Sequence, residues 1–169
     1  MKELRKEHVL LKADIKDYRL LLWSCQPSSK MRFEYLVEWD PDCLMAATNE
    51  HLPLCHAIIK SWNHLECFTV YFQTALKYHP KHLGFLFQKD SSRKTAHERA
   101  IEKYDKDNTF NVIKQCIPTD TKLPILHHIV RDAPQCMNDF SLRYSAWYLR
   151  DEDGRTFKQA ALASGSVKE

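Results

Sequence analysis

Apolar residues recur at helical spacing in the first part of the chain. Separations of seven, four, three and four positions place five of them on one face of an α-helix: Leu4, Leu11, Ile15, Tyr18 and Leu22. Lysine and arginine residues occupy much of the remaining surface. The pattern predicts a single amphipathic helix over residues 4–22. The helix should end before the Gln-Pro-Ser-Ser sequence at residues 26–29, because proline does not fit the interior of a helix.

Further apolar stripes follow, each bounded by proline, glycine or a polar cluster. They predict helices at residues 33–39, 52–58, 64–78, 95–105, 108–117, 123–133, 137–147 and 156–165. The short apolar segment Leu83–Phe87 has no obvious strand partner, so we expect it to be a buried connector. The sequence therefore predicts an all-α fold.

Composition supports this fold class. Apolar residues make up 44% and charged residues 28% of the 169 positions, as in an ordinary folded domain. Only 3 glycines are present, fewer than a β-sandwich or a doubly wound α/β fold usually needs for its turns. Only the polar tail after Gly165 is expected to fray.

Four segments of the chain align with one another. They begin at Asn49, Ser92, Asp120 and Asp153, and the fourth position of each is where a short helix should start. These equivalent positions are Leu52, Thr95, Leu123 and Thr156. Their separations of 43, 28 and 33 residues average about 35, close to the period of about 33 that is typical of ankyrin repeats.

The four segments resemble the ankyrin repeat, in which Asp and Gly precede Thr-Pro-Leu-His and one or two alanines. The matching positions are Asp90 and Asp151, Gly154, Thr95 and Thr156, Pro53 and Pro124, Leu54, and Ala57, Ala100 and Ala161. Asp and Gly suit the turn, Thr and Pro start the first helix, and Ala allows close helix packing. The resemblance covers about residues 30–165.

The match has departures. No segment carries the whole motif, and the third has His128 where alanine belongs. Leu52 and Leu123 replace the threonine that would cap the helix. An unrelated array of helical hairpins is the alternative.

The resemblance implies an α-solenoid of stacked helix-turn-helix repeats in one domain, residues 1–169. Residues 1–41 would form an N-terminal capping hairpin whose basic outer face suits the end of a stack. Residues 49–165 would form the degenerate repeats.

Charge and cysteine content constrain function only weakly. A net charge of +3 is too small to indicate nucleic-acid binding. The 6 cysteines include no Cys-x-x-Cys pair, and neither a secretory signal nor a membrane-spanning segment is visible. We therefore expect reduced thiols in an intracellular protein, cytoplasmic or nuclear.

Candidate chemistry is sparse. The 9 histidines include close pairs at His79 and His82 and at His127 and His128, but none has the paired spacing of a structural zinc site. Glycine-rich phosphate loops and Gly-x-Ser-x-Gly elbows are absent. We expect no enzyme activity, no catalytic residues, no cofactor and no metal. A thiol- or metal-dependent enzyme remains an alternative.

The ankyrin resemblance implies that turn tips and first-helix faces line a concave groove that binds a protein. The tip residues would be Asn49, His51, Ser92, Lys94, Asp120, Lys122, Asp153 and Arg155; the helix-face residues would be Lys60, Lys103 and Arg131. Cations outnumber carboxylates there, so we expect an acidic segment of a partner protein, unless these are ordinary solvated charges. The expected function is a protein–protein interaction scaffold or accessory subunit. A nucleic-acid-associated protein that uses the basic N-terminal helix is the second alternative.

Overall fold

The computed structural model describes residues 2–17, 19–24, 29–45, 53–60, 64–117, 125–137, 140, 149–151, 153–163 and 165. Helices account for most of these residues, and no β-strand occurs among them, which confirms an all-α chain. The α-helices are α1 (Lys2–Lys6), α2 (Lys12–Asp17), α3 (Leu20–Trp23), α4 (Lys30–Trp39), α5 (Pro53–Lys60), α6 (Leu65–Tyr78), α7 (Ala96–Tyr104), α8 (Lys106–Cys116), α9 (Ile125–Asp132) and α10 (Phe157–Ala163). Short 3-10 helices span Pro41–Leu44, Pro80–Phe85 and Pro134–Cys136.

The prediction of a single helix over residues 4–22 is wrong. Three short helices, α1 to α3, replace it, and the chain turns at His8 and Arg19, whose φ angles of 58° and 51° are left-handed. Leu4 and Leu11 are 45% and 52% exposed. These leucines are seven positions apart. A continuous helix through both would have one turn without an apolar side chain on its inner face, so packing cannot hold the helix together there.

The N-terminal helices are nevertheless attached to the rest of the molecule. Ile15 is buried, and the Arg5 guanidinium lies 4.8 Å from the centre of the Trp39 ring on α4. The Tyr71 hydroxyl on α6 donates a 2.6 Å hydrogen bond to the backbone carbonyl of Ser24, just after α3.

Consecutive helices pack as hairpins. Helix α3 contacts α4, α5 contacts α6, and α7 contacts α8. Helices α3, α5 and α7 also pack side by side, as do α4, α6 and α8, and near the C-terminus α9 packs on α10. The described helices from α3 to α8 therefore form two adjacent rows.

Small residues lie where helices of the first row come together. Ala57 on α5 and Ala100 on α7 are both fully buried, and these two helices are in contact. Alanine has no side chain beyond Cβ, so it lets helix axes approach closely. Ala160 and Ala161 are similarly buried on α10.

The predicted bounds of the central helices agree with the structure within a few residues. Helix α4 ends at Trp39, before Pro41, and α6 ends at Tyr78, before Pro80. Proline disfavours helical geometry in the residue before it, so each helix stops there. The predicted helix containing Tyr144 and Trp147 lies largely outside the described residues.

The segment after α6 is a buried connector, as expected. Leu83, Phe85, Leu86 and Phe87 are all nearly inaccessible to solvent. Gly84 has a φ of +56°, and a Cβ there would lie 2.9 Å from the backbone nitrogen of a residue in α6. The connector therefore lies directly against the α6 backbone.

Aromatic side chains form much of the core. Phe140 is fully buried, with its ring centre 5.3 Å from that of Phe87 and 5.0 Å from that of Phe110. Phe68 and Phe72 stack within α6 at 5.7 Å, and the inward stripe predicted for this helix includes both. None of the described helices has both the length and the apolar character needed to cross a membrane.

Candidate functional site

A tight turn precedes α7. The Asp90 carboxylate oxygen Oδ1 accepts backbone N–H bonds from Ser92 at 2.9 Å and Lys94 at 3.2 Å. The Asp90 N–H donates to the Lys94 carbonyl at 3.0 Å, and Arg93 adopts a left-handed φ of 60°. A single β-bridge joins Lys89 to Thr95 across the turn.

The turn before α10 has the same design. Asp151 Oδ1 accepts backbone N–H bonds from Asp153 at 3.0 Å and Arg155 at 2.8 Å, and the Asp151 N–H donates to the Arg155 carbonyl at 3.0 Å. Gly154, with φ of 72°, occupies the left-handed position. The corresponding bridge joins Arg150 to Thr156.

Each turn is followed by a helix, and the two helices have the same type of N-terminal cap. The Thr95 hydroxyl accepts the Glu98 N–H at 3.1 Å, and the Glu98 carboxylate accepts the Thr95 N–H at 2.8 Å. Thr156 and Gln159 repeat this reciprocal pair at 3.4 and 2.8 Å. Each pair is a capping box, in which two otherwise unpaired N–H groups are satisfied. Thr95 and Thr156 therefore occupy equivalent positions.

The ion pairs around the two turns differ. Asp90 is bound by Arg99, one turn into α7, whereas Asp151 is bound by the neighbouring Arg155 at 2.8 Å. Lys94, which corresponds to Arg155, instead bonds to Glu102. Burial raises the pKa of Asp151, but bonds from the Arg155 backbone and guanidinium outweigh it, so the pKa is lowered.

A groove lies between the connector after α6 and helix α9. It consists of two adjoining hollows with volumes of about 460 and about 350 Å³. Both hollows are lined by His82, His128 and Arg131, and we call them together the His82–Arg131 groove. The larger extends to Met45 and Lys89. The smaller extends to Lys81, His127, Asp151, Asp153 and Arg155.

Arg131 is 55% exposed and forms a local network at the centre of the groove. Its guanidinium donates two bonds of 2.9 Å to the Asp132 carboxylate and one of 3.0 Å to His128 Nδ1. Burial raises the pKa of Asp132, but the nearby His128 ring and the hydrogen bonds and charge of Arg131 more than offset this, and the pKa is lowered. Asp132 is therefore a stable carboxylate partner for Arg131.

His127 contacts the second turn. Its Nε2–H donates to the backbone carbonyl of Arg155 at 3.2 Å, which fixes the neutral tautomer with the proton on Nε2. Nδ1 is buried and has no hydrogen-bond partner among the described residues. Burial lowers the pKa of His127, because a charged ring would lose its hydration there.

The groove carries opposite charges in nearly equal number. Its cations are Lys81, Lys89, Arg131 and Arg155; its carboxylates are Asp132, Asp151 and Asp153; its histidines are His82, His127 and His128. With its histidines neutral, the groove therefore has an excess of one positive charge.

The structure brings only some of the predicted site residues together. Arg131, Asp153 and Arg155 line the groove, while Ser92 and Lys94 are exposed on the turn before α7. Asn49, His51, Asp120 and Lys122 lie outside the described residues, as does the side chain of Lys60.

Lys103 has a structural contact instead of a place in the groove. Its Nζ donates hydrogen bonds to the backbone carbonyls of Ile58 at 2.6 Å and Ile59 at 2.8 Å, near the C-terminal end of α5. A cation at a helix C-terminus is favourable because it satisfies unpaired carbonyls. Burial lowers the pKa of Lys103.

The positive excess expected from the sequence is partly cancelled within the chain. Lys94 pairs with Glu102, Arg131 with Asp132, and Arg155 with two aspartates. Sequence position alone could not show these pairs.

Several groove residues were missing from the predicted set, notably Met45, His82, Lys89 and His128. In the sequence, His82 and His128 stand out only as potential metal ligands or repeat positions. The signal that could have found His82 is its place at the edge of the apolar connector, since polar residues are more often exposed than apolar ones.

Among the described residues, the buried Cys136 thiol lies 3.4 Å from Nδ1 of the buried His97. No group of three or more His, Cys, Asp or Glu residues among those described could hold a metal ion. The five described cysteines are free thiols. Burial raises the pKa of Cys43 and Cys55 to about 12 and that of Cys116 to about 11.

Comparisons with models of known protein families, with curated proteins and with solved structures find no match for this chain.

Proposed function

We propose that the chain is a divergent ankyrin-like array of helix hairpins that serves as a protein–protein interaction scaffold or accessory subunit. Two observations support the ankyrin-like architecture. The turn and capping box at Asp90 and Thr95 recur at Asp151 and Thr156, and the helices from α3 to α8 pack in two rows. Both are expected when consecutive hairpins bury their apolar faces against one another.

The His82–Arg131 groove is the observation that carries the functional proposal. It runs beside α9 and reaches the turn before α10, where ankyrin resemblance implies a partner-binding face. Arg131 and Arg155 contribute charge to it, and both are partly exposed, by 55% and 38%. A groove that is already formed by packed helices needs little ordering on binding, which lowers the entropic cost of association.

The experiment begins with affinity capture from native lysate, identification of bound proteins by mass spectrometry and purification of the candidate partner. Association rates are then measured at several salt concentrations for the wild type and for the double variant Arg131→Glu/Arg155→Glu. The matched control is Lys77→Glu/Lys114→Glu, which makes the same charge change at exposed positions of α6 and α8. Thermal melts identify variants that are unfolded.

We expect the groove variant to associate about tenfold more slowly at low salt and to show a weaker salt dependence, because steering by charge is lost. The control variant should associate at nearly the wild-type rate. Equal rates for the two folded variants would contradict binding through the groove. Tight, steeply salt-dependent binding of RNA or DNA instead of protein would favour the nucleic-acid alternative.

A further inference from the structure

The larger hollow of the His82–Arg131 groove combines an apolar edge with a basic rim. Met45, 50% exposed, and the buried rings of Phe85 and Phe87 provide the apolar lining. Lys89 and Arg131 contribute cations to the same hollow. An exposed methionine beside a hollow offers an adaptable apolar contact, because its side chain is unbranched and polarizable.

The rim has hydrogen-bonding capacity that the chain itself does not use. Lys89 is exposed and forms no ion pair with any described residue. The exposed His82 ring stacks on Phe85 with 5.7 Å between ring centres, and its nitrogens have no hydrogen-bond partner in the described part of the chain. The contact with Phe85 holds the His82 ring at the mouth of the hollow.

The charge balance favours an anion. Lys89 and Arg131 face a single carboxylate, Asp132, which is already bonded by Arg131. A negatively charged group would therefore be stabilised here, whereas a cationic one would be repelled.

We infer that this hollow binds a partner segment in which an apolar side chain stands next to a carboxylate side chain. The apolar side chain would contact Met45 and the edge of the Phe85 ring. The anion would accept bonds from Lys89 Nζ and the ring of His82, with Arg131 close by. This inference rests on the proposed function and specifies what the groove recognises.

The test uses isotope-labelled full-length protein and short synthetic peptides with a Gly-Ser background. The probe carries one leucine flanked by glutamates. Three comparison peptides replace the glutamates with glutamine, the leucine with serine, or one glutamate with phosphoserine. Amide and methyl chemical shifts locate binding, and titrations give Kd for wild type, Lys89→Glu, Met45→Ser and the control Lys114→Glu.

We expect the Leu-Glu probe to shift the signals of Met45 and Lys89. The glutamine and serine peptides should bind about fivefold or more weakly, because one desolvated charge or apolar contact contributes about 1 kcal/mol. The variants Lys89→Glu and Met45→Ser should bind the Leu-Glu probe more weakly by a similar factor, whereas Lys114→Glu should bind it as the wild type does. Equal or weaker binding of the phosphoserine peptide would support a carboxylate as the bound group, and tighter binding would contradict it.

Equal affinity for the glutamate and glutamine peptides would overturn the inference, and so would the absence of any shift at Met45 and Lys89. A partner protein whose affinity depends on Arg131 and Arg155 but not on Lys89 or Met45 would also overturn it, while leaving the proposed function in place.

Discussion

Asp90 and Arg99 form a buried ion pair that joins the turn before α7 to the helix itself. Arg99 donates from Nε at 2.9 Å and from Nη2 at 2.6 Å to the same carboxylate oxygen, and the side chains are 14% and 0% exposed. The other Asp90 oxygen organises the turn. One aspartate therefore fixes both the shape of the turn and its angle to the helix.

Replacing Asp90 with alanine should strongly destabilise the fold. The variant loses the bonds that shape the turn and leaves the Arg99 guanidinium buried without its carboxylate. We expect the free energy of unfolding to fall by about 3 kcal/mol, as in other buried pairs that lose one member. Urea denaturation followed by circular dichroism measures the change.

The equivalent substitution Asp151→Ala is the matched control, because its partner Arg155 is 38% exposed and can be solvated. Asp151→Ala should lower the free energy of unfolding by clearly less than Asp90→Ala does. Adding Arg99→Leu to Asp90→Ala should recover part of the lost stability, since an apolar side chain tolerates burial better than an unpaired cation. Equal costs for the two aspartates would contradict this account of the pair.

Gly84→Ala should destabilise the chain by a steric mechanism. The added Cβ would lie 2.9 Å from the Leu76 nitrogen and 3.2 Å from the Ala75 carbonyl carbon, and φ is left-handed. We expect a loss of about 2 to 4 kcal/mol. Gly154→Ala has the same left-handed strain but no atom within 4 Å, so it should cost about 1 kcal/mol. Thermal melts of both variants measure the two losses of stability. Equal losses would contradict close packing of the connector against α6.

Stability should decline on acidification in two stages. Burial holds the pKa of His127 below its ordinary 6.5, so the unfolded chain binds a proton first and stability falls as the pH drops below about 6.5. Glu98, Asp132 and Asp151 have lowered pKa values, so their contribution is present above their ordinary values near 4 and is lost as the pH falls through the folded values. Urea midpoints measured as a function of pH should show both stages.

The variant His127→Gln isolates the first stage. Glutamine retains an N–H donor for the Arg155 carbonyl but does not titrate. The decrease in stability between about pH 7 and pH 5 should therefore be smaller than in the wild type. An unchanged slope in this range would show that His127 does not contribute to it.

The described thiols whose pKa is raised should be unreactive in the folded protein. With pKa values raised to about 12 at Cys43 and Cys55 and to about 11 at Cys116, these thiols are almost entirely un-ionised at pH 8. In the variant Cys25→Ser, which removes the cysteine outside the described residues, a disulfide reagent should react far more slowly than with free cysteine. One rapidly modified thiol in this variant would favour the thiol-enzyme alternative.

Local patterns predicted the central helices well. Proline positions fixed the ends of α4 and α6, because a proline acts on the residue immediately before it. The capping residues Thr95 and Thr156 were also found from sequence, since a capping box depends on residues three positions apart.

The N-terminal segment and the groove could not be predicted in the same way. Leu4 and Leu11 fit a helical stripe, but whether a stripe is buried depends on what packs against it. His82 and Arg131 lie almost fifty positions apart in sequence, and only the packing of the connector near α9 brings them to one groove. The pairing of Lys94, Arg131 and Arg155 with nearby acids is likewise a property of side-chain geometry.

Hydrogen exchange on the complex with the partner identified by affinity capture tests the central claim most directly. If the partner occupies the His82–Arg131 groove, amides in residues 80–89 and 125–132 should exchange more slowly in the complex than in the free protein. Protection confined to α6 and α8, with unchanged exchange in residues 80–89 and 125–132, would show that the partner binds the row formed by α4, α6 and α8. That result would contradict the account.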